Sequence, residues 1–280
     1  MKTVSLKTPC IILIYGLWPV LAQSAGLPDT GQQRCYDGNT GSMVACNAAN
    51  TGNATPYSAQ DGRIGRDAAA TAGQLTKIGG GEAGFDYTKV CNSGELQGQG
   101  DCPVDPPLGV GSNDWGCNQD NITGLMWEVK VNDDTHLRHK DWHYTWYNPD
   151  ASSNGGNAGL QDTGIGVGSD YCVDASRCDT QQYTDDVNAA NLCNHNDWRL
   201  PSRRELLTLV HLGRGDSVNP APTIDQGYFP NTVSSEYWTG STSAIWVNNV
   251  RIVQFYSGNG SYADKLLVTD FLRLVRGGRL

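Results

Sequence analysis

The chain reads as an α+β protein: two helices and a mostly antiparallel sheet, preceded by an irregular, disulfide-bonded N-terminal region. Three observations point there. The stretch Asp197-Trp198-Arg199-Leu200-Pro201-Ser202-Arg203-Arg204-Glu205-Leu206 reads as a helix start. Pro201 ends an extended segment, Ser202 can accept from the free amides, and Glu205 three residues on completes a capping box. After this helix, short β-forming runs alternate with turns up to Phe271-Leu272-Arg273-Leu274-Val275-Arg276-Gly277-Gly278. Finally, eight of the nine cysteines lie beyond a leader-like N-terminus, an even number suited to a disulfide framework.

Residues 1–25 form a secretory signal pattern. Lys2 and Lys7 precede an apolar run from Cys10 to Leu21, followed by the small residues Ala22, Ser24 and Ala25. The run is too short to span a bilayer, and cleavage after Ala22 or after Ala25 fits equally. No later segment is long and apolar enough to anchor the chain, which is expected to be exported and soluble. Residues 26–112 are rich in Gly, Asn, Ala, Gln and Asp, with runs such as Gly79-Gly80-Gly81. Such a composition buries little surface by itself, so this region is expected to pack on the C-terminal domain. Short strands are predicted there around Gln74–Ile78 and Phe85–Val90.

From Asn113 to the end of the chain (113–280) the aromatic density rises. Leu125–Val129 and His143–Tyr147 are strong in β-formers and predict strands. The Gly/Asn/Asp-rich stretch 148–169 predicts a long surface loop. It contains Gly164-x-Gly166-x-Gly168, which is not set between a strand and a helix and so does not read as a dinucleotide site. A helix is predicted over Thr180–Leu192, with Tyr183, Val187 and Ala190 on one face. A second runs over Arg203–Leu212, with an apolar stripe at Leu206, Leu207, Leu209 and Val210 stopped by Gly213. Strands are predicted next at Tyr237–Gly240, Ala244–Asn248, Ile252–Tyr256 and Leu266–Val275, with a turn at Ser257–Gly260. Eight cysteines admit about 105 pairings. Spacing favours Cys35–Cys46, Cys91–Cys102 and Cys172–Cys178 as local loops and Cys117–Cys193 as a long-range staple.

The segments Thr123-Gly124-Leu125-Met126-Trp127-Glu128, Asp197–Ser202, Glu236-Tyr237-Trp238 and Phe271–Gly278 occur in a telling order. Through them residues 113–279 resemble the family named after the C-terminal domain of Lcl, a collagen-like bacterial adhesin. The resemblance implies a C-type-lectin-like domain in a secreted protein, a scaffold that presents binding loops. Most members have no known role, so activity has to come from the site.

Charge narrows the partners. Up to Trp198 there are 11 Lys and Arg against 23 Asp and Glu, and from Arg199 onward 9 against 6, with a net charge of −9 overall. A chain this acidic is a poor ligand for nucleic acid or anionic membranes. The same holds for the sulfated glycosaminoglycans associated with the Lcl adhesin, so neutral glycans are favoured.

Chemistry-bearing clusters are sparse. His136, His139 and His143 with Asp141 invite a metal reading, but the following His-Tyr-Thr-Trp-Tyr run favours a strand, which would split the histidines between faces. No metal site is assigned. Asp114, Asn118, Asp120 and Asn121, or Asn132, Asp133 and Asp134, leave structural calcium open as the only cofactor, although the EF-hand pattern is absent. No hydrolase elbow, zinc-protease motif or phosphate loop is present, and no enzyme activity is expected. Trp-Arg-Leu-Pro is similar to a segment of formylglycine-generating enzymes, whose chemistry uses a cysteine pair late in the domain; here no cysteine follows Cys193.

Arg199, Arg273 and Arg276 sit among apolar residues and need carboxylate or carbonyl partners, for which Glu128 and Glu205 are candidates. They form the expected framework with Trp127, Trp198, Ser202 and Trp238. Trp146, Trp246, Asn248, Tyr256, Asn259 and Tyr262 lie near predicted loops and are the candidate ligand residues, because sugar recognition pairs ring faces with amides and carboxylates. The expected role is that of an exported binding protein or adhesin, outside the cell, at its surface or in the periplasm. Its partner would be a glycan or a cell-surface protein, with oligomerisation left open. The alternatives are a structural component of an appendage or matrix without sugar affinity, and a secreted enzyme.

Overall fold

The computed structural model describes residues 29–38, 40–46, 60–161, 172–215 and 221–278. The expected leader over 1–25 and the Gly164–Gly168 stretch lie outside the described residues. Strands β1 (Arg34–Asp37) and β2 (Ser42–Ala45) form an N-terminal hairpin closed by Cys35–Cys46. Helix α1 (Arg66–Thr71) comes next. A four-stranded antiparallel sheet has the order β11-β5-β4-β3, from Val275–Arg276, Met126–Glu128, Trp115–Asp120 and Tyr87–Cys91. Strand β6 (Tyr144–Thr145) pairs with β10 (Thr269–Asp270), and β7 (Glu236–Thr242), β8 (Asn249–Gln254) and β9 (Asn259–Asp264) form an antiparallel meander. Two further helices are α2 (Thr180–Ala189) and α3 (Arg203–Leu207). The fold is α+β with mostly antiparallel sheets. None of its described helices is long and apolar enough to cross a membrane.

Alternation along the strands builds two cores. Met126, Trp238 and Ile252 enter one, with Trp146, Tyr183, Val187, Leu272 and the Cys117–Cys193 pair. Their neighbours Trp127, Tyr237 and Val253 enter the other, with Tyr87, Leu206, Phe229 and Phe255. Successive side chains of a strand point to opposite faces, so strands buried on both faces are apolar at consecutive positions. This is why Met-Trp and Tyr-Trp occur as adjacent pairs here.

All four expected disulfides are present: Cys35–Cys46, Cys91–Cys102, Cys117–Cys193 and Cys172–Cys178. The predicted docking of the helix start beside the last strand is also seen. Arg199 and Val275 exchange both backbone hydrogen bonds, at 3.0 Å each. The expected division at residue 112 falls between β3 and β4, which pair from Tyr87–Asp120 to Cys91–Trp115.

Several elements differ from expectation. The second helix stops after Leu207 instead of reaching Leu212. Thr208 Oγ1 donates back to Glu205 O, and His211 N and Leu212 N are claimed by Thr223 O and Thr30 O. The first stops at Ala189, so Ala190 caps it and is exposed. Ala244–Asn248 is a turn, because Ser243 Oγ accepts from Ile245 N and Trp246 N. The predicted terminal strand breaks into β10 and β11, and the predicted Gln74–Ile78 strand does not form.

Candidate functional site

Beneath the surface lies a buried polar framework. Glu128 is fully buried, 2.8 Å from Lys130 Nζ, accepts from the Tyr183 hydroxyl, and accepts from Leu274 N at 2.9 Å. Burial alone would raise the Glu128 carboxyl, but the Lys130 charge and these hydrogen bonds outweigh it and hold it below the usual range. Burial conversely pulls Lys130 down to about 8 against that carboxylate. Arg273, also fully buried, donates to Glu128 O at 2.5 Å and Thr232 Oγ1 at 2.9 Å. Arg199 forks onto Glu205 at 2.7 and 2.9 Å, while Ser202 and Glu205 close the capping box. The arginine–glutamate expectation is therefore right for Arg199 and corrected for the other two. Arg273 uses the Glu128 carbonyl because Lys130 already holds the carboxylate, and Arg276 pairs with Asp197 at 2.7 Å. Trp127, Trp198 and Trp238 are core residues, as expected.

A second buried lysine organises the β7–β8 turn. Lys265 has no exposed area, and its Nζ donates to Asn154 O at 2.8 Å, Asn157 O at 3.1 Å and Val247 O at 2.9 Å. It lies 4.5 Å over the Trp146 ring. Three donors thus meet three carbonyls, two from the 148–161 loop and one from the β7–β8 turn, and burial lowers the lysine from its ordinary range. Asn157 Nδ2 adds a 2.7 Å bond to Asn248 Oδ1. Clamped this way, the β7–β8 turn exposes three consecutive apolar side chains: Ile245 (74%), Trp246 (53%) and Val247 (57%). Trp246 meets Tyr262 edge to face at 5.3 Å, and the Arg251 guanidinium covers Tyr262 at 3.7 Å.

On the other flank of the 148–161 loop runs a polar cleft of about 380 Å³. Its wall includes Asn148, Asp150 and Ser153 from the loop, Gln181 and Asp185 from α2, and Arg199. Hydrogen bonds from Ser152 and Ser153 hold the Asp150 carboxyl below its ordinary range, so it is ionised at neutral pH. With hydroxyls, amides, the two carboxylates and the Arg199 guanidinium in its lining, the cleft can pair with a hydroxyl-rich ligand.

The six candidate ligand residues do not form one site. Trp246 and Tyr262 meet at the tip, and Asn248 braces it from below. Tyr256 and Asn259 flank the hairpin turn at the opposite end of β8, where the Tyr256 hydroxyl donates to Glu236 at 3.2 Å. Trp146 is corrected to a core residue: it is fully buried and its Nε1 donates to Thr239 O at 3.0 Å. Reading the sequence missed Lys265, Ile245, Val247 and the cleft. The Ile-Trp-Val run was a signal for exposure only once the turn at Ser243 was known.

The histidines do not converge on a metal. His136 accepts from Arg138 N, His139 faces Asp141, and His143 bonds Thr269. In the calcium candidates, Asp114 accepts from Gly111 N, Asp120 caps Ile122 and Thr123, and Asp133 caps Thr135. Among the described residues a single group of acidic or metal-ligating side chains converges, Asp29, Asp61 and Asp67.

A family model described as "Lcl C-terminal domain" matches residues 116–276. No curated protein and no solved structure matches the chain.

Proposed function

The chain belongs to the Lcl C-terminal domain family, and from that premise we propose that it is an exported binding protein that recognises a neutral glycan through the clamped tip and the neighbouring cleft. One observation carries this reading. The exposed Ile245-Trp246-Val247 run is fixed by the buried Lys265, so an aromatic face is presented without ordering cost at binding. Trp246 supplies the ring on which a sugar face stacks, and Asn148, Asp150, Gln181 and Asp185 supply partners for hydroxyls. The lectin-like scaffold and the location outside the cell or at its surface belong to the same proposal. Four disulfides and a leader pattern support export.

A glycan array probed with the mature chain and with Trp246→Ala tests it. Neutral glycans should bind the parent and lose at least tenfold in signal with the variant, at an unchanged melting temperature. Blank arrays for both would move the assignment to an assembly component, whose contact the same apolar tip would make. Preferential binding of sulfated glycans would overturn the neutral-ligand reading.

A further inference from the structure

Asp29, Asp61 and Asp67 come from three separate segments: the chain before β1, the turn before α1 and α1 itself. One carboxylate oxygen of each lies within 4.8 Å of the others. Two oxygens on opposite sides of a calcium ion bonded at ~2.4 Å are about 4.8 Å apart, so the three fit one coordination sphere. Thr30 adds a fourth oxygen, hydrogen-bonded to Asp61 and 3.5 Å from Asp67 Oδ2.

An independent sign of a missing partner comes from Asp29. Its side chain is more than nine-tenths buried, and its Oδ2 is shielded from solvent and accepts no hydrogen bond. It is pressed so closely on Gly84 that a Cβ there would collide with it. A buried carboxylate oxygen without a partner costs several kcal/mol. The neighbouring arginine does not supply the partner: Arg66 Nε donates to Gly84 O at 2.9 Å, and its buried Nη2 makes no hydrogen bond. None of the three aspartates takes part in an ion pair among the described residues.

We infer that Asp29, Asp61 and Asp67 bind one divalent cation, with calcium favoured over magnesium, and that this ion pins the N-terminal segment to the body. Irregular oxygen-rich sites drawn from separate connections suit calcium; magnesium demands a near-ideal octahedron and keeps its waters. The mechanical role comes from the neighbours. Asp67 Oδ1 accepts from Gly84 N at 3.0 Å, and Thr30 O accepts from Leu212 N at 2.8 Å. The same three carboxylates therefore join the hairpin side, α1 and the Gly84 turn.

Equilibrium dialysis of the full chain against calcium alone, with magnesium as comparison, gives the primary answer. One calcium per chain is expected, bound at least tenfold more weakly in Asp61→Asn, whose position is partly exposed. Calcium should raise the melting temperature over that in EDTA and slow tryptic cutting at Arg34 and Arg63. No bound calcium at millimolar concentration in the parent would overturn the proposal, as would binding left unchanged by Asp61→Asn, which marks diffuse acidic surface. A higher melting temperature for Asp67→Asn in EDTA, with no calcium effect on the parent, would mean that the carboxylates share a proton instead. Dialysis and proteolysis of the parent decide the matter even where a variant fails to fold.

Discussion

At the scale of single residues, buried cations hold this protein together, and the two lysines do different work. Lys130 sits on a carboxylate, so Glu128→Gln should leave it uncompensated and lower stability by about 3–5 kcal/mol in denaturant melts. Lys265 faces only carbonyls; Lys265→Met should leave them unpaired, cost about 3 kcal/mol and weaken ligand binding through the tip it clamps. Arg276→Met, by contrast, removes a pair with the half-exposed Asp197 and should cost under about 1 kcal/mol. Asp270 gives a pH signature. Burial, then the Glu236 charge, pushes it up to about 7 from 3.8. The folded chain therefore holds the proton more tightly than the unfolded one between those values. The contribution is complete below about 4 and is lost as pH rises through about 7, at up to about 1.4 kcal/mol per pH unit. Melts of the parent and Asp270→Asn between pH 4 and 8 should show the parent falling more steeply. Parallel curves would contradict this. Of these residues, the sequence made Ser202 and Glu205 legible because their partnership spans three positions. Lys265 was illegible because its acceptors are backbone atoms, 111, 108 and 18 residues away in sequence.

At the scale of elements, local signals succeeded where local hydrogen bonds decide the outcome. The start of α3 is set by its capping box and the start of α2 by Asp179, whose side chain accepts from Gln182 N. Asp179→Ala should cost about 1 kcal/mol, visible as a lower midpoint with an unchanged slope. Helix ends and strand lengths were misjudged because distant segments compete for the same amides. Thr223 and Thr30 take those of His211 and Leu212, and Ser243 takes those of Ile245 and Trp246. The second of these shapes the surface, since a turn at 243–248 turns an expected strand into an exposed tip. The aromatic residues were legible as a class but not by position: Trp146 and Trp246 look alike in sequence and end in the core and in solvent.

At the scale of the whole molecule, Cys117–Cys193 joins β4 to the segment after α2 across 76 residues, whereas Cys172–Cys178 closes only 6. Chain entropy assigns about 4–5 kcal/mol to the first and about 2 to the second. Paired Cys→Ser variants should differ in midpoint in that order. Spacing made this framework readable, while the placement of the cleft between the 148–161 loop and α2 emerged only from tertiary packing. The proposed binding surface is thus a product of the assembled fold, a tip and a polar cleft sharing one loop. Hydrogen exchange of the mature chain, with and without a millimolar pool of neutral oligosaccharides, tests that claim most directly. Added protection is expected in 147–154 and 245–249 and nowhere on the β1–β2 side; an unchanged exchange pattern, or protection confined to residues 60–84, would contradict it.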